Sequence, residues 1–420
     1  MPFSARSVSE QSVSGAGTMA SAMERSTHAA LGLRYAVRAS HFAPGEPHHG
    51  PGGIMLGSGD AYPEGLPDVS EFARTATVTY RTEALQYAPR PGLPELREWI
   101  AQYLGGEGIR VDADSILVCN GAKHGLELAC KLFLDPGDTI VVTRLTYQSA
   151  LGVFRGWEAT FVEIGMDADG MLVDELATVL ADRERRGQPA PKLLYDVPEF
   201  HNPTGLTLSR ARRAALVELA QRYRMLILED DPYRRIRFAG APVPPIQALD
   251  PSGCVIGLGT FAKLVAPGLR IGWVSASREV VERMAAMKAD GGTCPLTQRI
   301  LIEYCRAGRF EPDIRQRVTT YRAHRDVMAR ALREHLPEAS FDLPQGGYYL
   351  WLRLPPAVDS DALATRAAAL GVQILPASQF HATRSPRNYV RLAYSYASPS
   401  EIVEGVRRLA RAFRQSAAAS

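Results

Sequence analysis

A lysine standing where a buried strand runs out constrains this chain more than any other feature. The apolar run Cys254-Val255-Ile256-Gly257-Leu258 reads as a strand, and Gly259-Thr260-Phe261-Ala262-Lys263 follows it directly. Lys263 therefore has apolar neighbours, with a hydroxyl on Thr260 before it and a guanidinium on Arg270 after it. Burying a lysine is costly unless it reacts or finds a partner. Desolvation lowers its pKa and frees the amine to form an imine with an aldehyde. On this segment alone, a surface lysine in a Gly/Pro loop is an equally good reading.

The 420 residues exceed what one hydrophobic core usually serves, so two domains are expected. With 46% hydrophobic and 22% charged residues the composition is that of an ordinary globular enzyme, and a net charge of +3 gives no footing for nucleic acid. The run Arg183-Glu184-Arg185-Arg186 reads as a solvated loop. Cys119, Cys130, Cys254, Cys294 and Cys305 are odd in number and far apart, which points to reduced thiols in a cytoplasmic protein, with no disulfide framework and no metal site. No apolar run is long enough for a membrane span. Residues 1–27 read as a flexible Ser/Ala/Gly tail without a signal-peptide core, with Met19 and Met23 as alternative starts. His48 and His49 lie in a Pro/Gly loop without companion metal ligands.

Between Ser115 and Ser275, short β-rich runs alternate with amphipathic stretches. Strands are expected at Ile116–Cys119, Thr139–Thr143, Thr160–Ile164, Lys192–Val197, Met225–Leu228, Val255–Leu258 and Gly272–Ser275. Helices are expected at Ala122–Phe133, Ser209–Tyr223 and Glu279–Met287. This is the pattern of an α/β fold: a mostly parallel seven-stranded sheet flanked by helices. Further helices at Leu296–Arg306 and Pro312–His335 precede β-rich segments at Tyr348–Leu354 and Tyr389–Tyr394, and a last helix runs from Ser400 to Arg414 with Ser400 as its N-cap. The expected organisation is the tail, a segment 28–80 serving a small α+β domain and the substrate pocket, a large domain 81–300, and the small domain proper at 301–420.

Ligands of open α/β sheets bind beyond the carboxyl ends of the strands, and four expected strand ends here carry unusual residues. Asn120-Gly121-Ala122-Lys123 opens a helix, so its backbone N–H groups suit a phosphate, although a plain tight turn fits equally well. His201-Asn202-Pro203-Thr204-Gly205 can aim the Asn202 amide at one place, or serve simply as a turn. Glu229-Asp230-Asp231-Pro232-Tyr233 puts carboxylates and a phenol at a buried strand end, where they need partners. Lys263 marks the fourth. A phosphate cradle, an amide, a carboxylate, a phenol and an imine-forming lysine on one side of one sheet are what pyridoxal 5′-phosphate requires.

At this point the chain resembles the class I/II, fold-type I aminotransferases, especially the branch of 2-aminoadipate, kynurenine and valine-type enzymes. The resemblance runs from about Ile54 to Ala410 and rests on Leu85-Gln86-Tyr87, Gly92-Leu93-Pro94-Glu95-Leu96-Arg97, the three motifs at Asn202, Asp230 and Lys263, Pro267-Gly268-Leu269-Arg270-Ile271-Gly272, and Arg391-Leu392. It implies an exchange of the amino group between an amino acid and a 2-oxo acid by a ping-pong mechanism. It implies that Lys263 holds the cofactor and moves the proton, that Asp230 pairs with the ring nitrogen, and that Asn202 and Tyr233 contact the ring 3-oxygen. Gly121, Ala122, Lys123, Thr260 and Arg270 would hold the phosphate, Tyr147 would stack on the ring, and Arg391 would take the substrate carboxylate. Tyr87 would reach the site of a neighbouring subunit, making a homodimer. The substrate pocket would be lined by Gly57–Tyr62, Gly59 among them, with Tyr35, Tyr147 and the region of Tyr348.

Three residues depart from the family pattern. Lys123 stands where Gln or Ser is usual, Ala262 replaces a frequent serine, and Leu145 precedes Thr146-Tyr147 where proline is common, which leaves the placement of Tyr147 open. Decarboxylation, elimination or oxidation on the same cofactor is the alternative chemistry, because the scaffold does not choose which Cα bond breaks. A transcriptional regulator built on such a domain is disfavoured, since the residues before Ile54 carry no helix-turn-helix pattern.

Overall fold

The computed structural model describes residues 53–383 and 386–417, together with Ala36, Arg38 and Ala39. The chain divides into two compact units, 1–43 and 44–420. In the first, the Ala39 N–H donates to the Ala36 carbonyl at 2.9 Å. The tail 1–27, Tyr35, and the loop with His48 and His49 lie outside the described residues.

Seven strands of the second unit form its main sheet: β1 (Ile116–Cys119), β2 (Thr139–Thr143), β3 (Thr160–Ile164), β4 (Leu193–Asp196), β5 (Leu226–Asp230), β6 (Val255–Thr260) and β7 (Gly272–Ser275). Their order is β1-β7-β6-β5-β4-β2-β3. Only β7 runs antiparallel to its neighbours; the remaining pairs are parallel. The carboxyl ends of the other six strands and the amino end of β7 therefore share one edge. That edge collects the segments around Gly121, Tyr147, Asn202, Asp230, Lys263 and Arg270.

Strand alternation explains how both faces are covered. Val141, Leu194 and Ile227 join one buried cluster, which the helices Val173–Arg185 and Arg210–Tyr223 complete with Leu176, Leu180, Leu216 and Val217. Their strand neighbours Ile140, Val142, Leu193, Tyr195 and Leu228 belong to a second cluster, with Leu126 and Ala129 from α1 (Ala122–Phe133) and Phe154 from α2 (Gln148–Gly156). In the β6/β7 register Gly259 lies opposite Trp273, and a Cβ on Gly259 would run into the indole. A small residue facing a large one lets the sheet stay paired around that ring.

A second, antiparallel sheet contains β8 (Tyr349–Arg353), β9 (Leu375–Pro376) and β10 (Tyr389–Ala393) in the order β8-β10-β9. Ile54–Met55 pairs in parallel with Val372–Gln373, which ties the first described segment of this unit to its last third. The long helix α3 (Phe310–His335) packs on α4 (Pro399–Ala417).

Two readings of the sequence are corrected. The last helix starts at Pro399, not Ser400, and Ser398 is its cap: the Glu401 N–H donates to Ser398 Oγ at 3.3 Å, while the Ser398 N–H donates to Glu401 Oε2 at 2.8 Å. Proline is suited to the first helical position because its missing N–H is not needed there. The Arg183–Arg186 run is no loop; it forms the last turn and cap of Val173–Arg185, with Arg185 and Arg186 paired to Asp182. That helix buries only Val173, Leu176 and Leu180, and Pro94–Gly106 only Leu96, Ile100 and Leu104. Such narrow stripes give little periodic signal.

Candidate active site

The β5 end supplies the carboxylate. Asp230 is buried, and its Oδ2 accepts a 2.7 Å hydrogen bond from the Tyr195 hydroxyl on β4. Its Oδ1 is buried with no partner. Burial pushes this carboxyl up to about 7, helped by the charge of Asp231 and opposed by the Tyr195 bond. A buried carboxylate oxygen left over at a strand end suits a protonated ring nitrogen. Asp231 is spoken for elsewhere, in contact with Arg234.

The Asn202 turn is clamped from both sides by its neighbour His201. That ring has Nδ1 3.0 Å from Thr204 Oγ1 and Nε2 3.3 Å from Thr143 Oγ1, and burial pushes its pKa down to about 3, so it stays neutral. Asn202 Oδ1 accepts a 2.8 Å hydrogen bond from Arg391 Nη1 on β10. Arg391 Nη2 donates to the Gly57 carbonyl at 2.6 Å, and its guanidinium lies over the Tyr349 and Phe380 rings at 4.1 and 5.0 Å. Arg391 Nε remains buried without a partner. An arginine held this firmly, with one N–H left over, suits a carboxylate.

Lys263 Nζ donates to the Gly59 carbonyl at 2.7 Å and lies 5.4 Å from the Tyr348 ring centroid. The Tyr348 hydroxyl donates to the Lys263 carbonyl at 3.2 Å, fixing the backbone under the amine. Tyr233 is buried beside Tyr349, their hydroxyls 3.2 Å apart, and burial with that neighbour drives its phenol well above the ordinary value. Tyr147 caps the start of α2, and its electrostatic neighbours Asp230, Arg391 and Tyr349 place it at the same cluster. The leucine in place of proline at 145 has therefore not moved Tyr147 away.

At the far end, Gly121 caps α1 with φ of +83°, a conformation that favours glycine, and no side chain closes the helix start. The first N–H groups of a helix have no acceptor within it, so those of Ala122 and Lys123 face outward at the positive end of the dipole. Arg270, itself at φ +55°, donates from Nη2 to the Asn120 carbonyl at 3.0 Å and packs against Gly121. Thr260 Oγ1 accepts from the Ala262 N–H at 3.1 Å. The Lys123 side chain is exposed. Outward N–H groups with one guanidinium on the rim make a cup that suits a phosphate. Tyr87 lies apart from the cluster in its own chain: it is 83% exposed and stands by Gly291.

Tyr195, His201, Tyr349 and Phe380 escaped the sequence reading as site residues, whereas Gly57 falls in the segment expected to line the substrate pocket. A phenol inside the apolar run Leu193-Leu194-Tyr195 was the available signal for Tyr195, because a buried hydroxyl needs a partner. Among the described residues there is no group of three His, Cys, Asp or Glu side chains able to hold a metal, and no helix long and apolar enough to cross a membrane.

A carboxylate, amide, phenol, lysine and phosphate cup on one sheet edge define a pyridoxal-phosphate site, and comparison with known proteins narrows the class. The chain belongs to the aminotransferase class I and II family, whose model matches residues 51–409. It is 35% identical to aromatic-amino-acid aminotransferase 1 of Thermococcus litoralis over 86% of this chain and 88% of that protein. It is 31% identical to an uncharacterized HTH-type transcriptional regulator of Bacillus subtilis, over 85% of this chain and 73% of that protein. The crystal structure of Pyrococcus horikoshii kynurenine aminotransferase, in complex with PMP, KYN and KYA, superposes with a TM-score of 0.83 at 33% identity, covering 95% of this chain and 99% of that one. The protein is a pyridoxal-phosphate-dependent aminotransferase that exchanges an amino group between an amino acid and a 2-oxo acid in a ping-pong sequence.

Proposed function

We propose that Lys263, Asp230, Asn202, Tyr233 and Arg391 are the working residues of that exchange, acting on donors with aromatic or aliphatic side chains. The observation that carries this is the pair of orphaned, buried atoms in one cluster, Asp230 Oδ1 and Arg391 Nε. Bound there, the cofactor supplies a ring that accepts the electron pair left when the donor's Cα–H bond breaks. Asp230 would hold a proton on the ring nitrogen, and Asn202 and Tyr233 would contact the 3-oxygen. The Gly121–Lys123 backbone, Thr260 and Arg270 hold the phosphate, and Tyr147 covers the ring. Arg391 fixes the α-carboxylate, Gly59 forms the opposite wall, and Lys263 Nζ takes the proton from Cα and returns it. Tyr62, Tyr147 and Tyr348 give the side-chain pocket its aromatic character, in line with the aromatic-amino-acid and kynurenine enzymes among the relatives.

We further infer a cytoplasmic homodimer in which Tyr87 completes the neighbouring phosphate site; the exposure of Tyr87, Leu85 and Val78 supports a covered face there, and the free cysteines suit a reducing compartment. Residues 81–300 would act as the cofactor domain and 28–80 with 301–420 as the substrate-side domain, a division supported by the pairing of Ile54–Met55 with Val372–Gln373. The test is a screen of L-phenylalanine, L-kynurenine, L-leucine and L-2-aminoadipate against 2-oxoglutarate, run with wild type and Lys263→Ala. Aromatic and aliphatic donors should turn over with wild type alone; normal turnover by Lys263→Ala would remove the scheme.

A further inference from the structure

Three observations meet at Tyr349, a residue with no role in the reading above. The Arg391 guanidinium lies over its ring, 4.1 Å from ring centre to the guanidinium carbon. Its hydroxyl is 3.2 Å from the Tyr233 hydroxyl. A Cβ added to Gly59 would collide with that same hydroxyl, so position 59 leaves room for it. Tyr349 is 4% exposed and belongs to β8, whose neighbour β10 carries Arg391 two positions from the Tyr349 partner Ala393. One rigid ring therefore touches the carboxylate clamp, the phenol aimed at the cofactor and the backbone of Gly57–Tyr62.

We propose that Tyr349 is a positioning residue of the transamination, with its ring setting the plane of Arg391 and its oxygen accepting the hydrogen of the Tyr233 hydroxyl. The proposal rests on the roles given above to Arg391 and Tyr233. The ring and the oxygen do separable work. A guanidinium packed between Tyr349 and Phe380 cannot rotate freely, so its unpaired Nε edge stays directed where a carboxylate arrives. The Tyr233 hydroxyl donates its single hydrogen to the Tyr349 oxygen, so Tyr349 fixes where that hydroxyl lies and competes with the cofactor's 3-oxygen for the hydrogen. Phenylalanine would keep the first effect and lose the second.

The charged and titratable groups facing Tyr349 besides Tyr233 are Arg391, Tyr147, Tyr348 and Tyr394. Burial pushes all three of those phenols above the ordinary value, so they stay neutral while the bound cofactor titrates. Asp230 and Lys263 belong to the site in every variant and drop out of the comparison.

The test uses holoenzyme of wild type, Tyr349→Phe and Tyr349→Leu, each first checked for cofactor content and melting temperature. In Tyr349→Phe, the Tyr233 hydrogen is released to the 3-oxygen, so the pH midpoint of the cofactor's visible absorbance should move down by about 0.5 to 1 unit, the size expected for one redirected hydrogen bond. KM for L-phenylalanine and for 2-oxoglutarate should stay within about twofold in that variant, since the ring remains. In Tyr349→Leu, KM for both should rise about tenfold, because both present their α-carboxylate to the same guanidinium. An unmoved midpoint in Tyr349→Phe, or unchanged KM in a folded Tyr349→Leu, overturns the proposal. Removing one oxygen leaves Tyr349→Phe decisive even where the leucine variant does not fold. A visible band that persists in Lys263→Ala faults the underlying site assignment and not Tyr349.

Discussion

Along the edge of the main sheet, Asn202, Asp230 and Lys263 each lie at or a few residues beyond the end of their own strand, whereas Gly59, Tyr349 and Arg391 reach the same cluster from segments far apart in the chain. The first group is positioned by local geometry: a parallel strand ends, a turn follows, and the side chain has one place to go. The second is positioned by a web in which Arg391 holds Gly57 and Asn202, Lys263 holds Gly59, and Tyr349 fills the space between. On the proposed assignment the sheet edge carries the chemistry on the cofactor, and the web carries the grip on the substrate's α-carboxylate. Damage to the edge should strike turnover, and damage to the web should strike KM.

Asp230→Asn tests the edge with the largest expected effect. Losing the carboxylate that holds the ring-nitrogen proton should lower kcat by about 10³-fold with little change in KM. The same variant should be more stable than wild type when the cofactor is removed. Burial raises the Asp230 carboxyl to about 7, so between its ordinary value and that point the folded state binds more protons than the unfolded one. Stability of the cofactor-free wild type should therefore fall as pH rises through that window, and part of that fall should vanish in Asp230→Asn. Asp196, also pushed up to about 7 by burial, leaves a residual slope. Melting temperatures from pH 5 to pH 8 check the sign.

Arg391→Lys strikes the web. A lysine offers a point charge without the planar fork, so KM for both substrates should rise by about 10- to 100-fold while kcat changes far less. Gly59→Ala should act in the same sense but more weakly, raising KM about tenfold, because the new methyl must displace the Tyr349 hydroxyl. Equal losses in kcat and kcat/KM for either variant would break the comparison. At the small end, Ser398→Ala removes the cap of α4, a hydroxyl bonded to Glu401 and Ser400 and to neither region, and should lower stability by about 1 kcal/mol in a urea titration with unchanged kinetics.

The same contrast explains what could be read from the amino-acid order. The seven strands and the residues at their ends were legible because short continuous apolar runs and Gly/Pro/Asn turns are local signals. Strand ends shifted by only a residue or two, as with β5, which runs on to Asp230. Tyr349 and Phe380 were not legible, since nothing local in Gly346-Gly347-Tyr348-Tyr349 tells which phenol faces the site. Only the β8/β10 register and the approach of Gly59 decide that. His201 was read as part of a turn, while its buried position between Thr143 and Thr204 is a tertiary fact. Ser398 was passed over for Ser400 because both precede or follow a proline at a helix start, and only the reciprocal bonds with Glu401 separate them.

The central claim is that the strand-end lysine carries the cofactor. Reducing the pyridoxal-phosphate-loaded protein with borohydride, digesting it and mapping the product by mass spectrometry tests this directly. The pyridoxyl mass should sit on the peptide containing Lys263 and nowhere else; the same mass on Lys123, Lys288 or any other lysine, with Lys263 unmodified, would contradict the account.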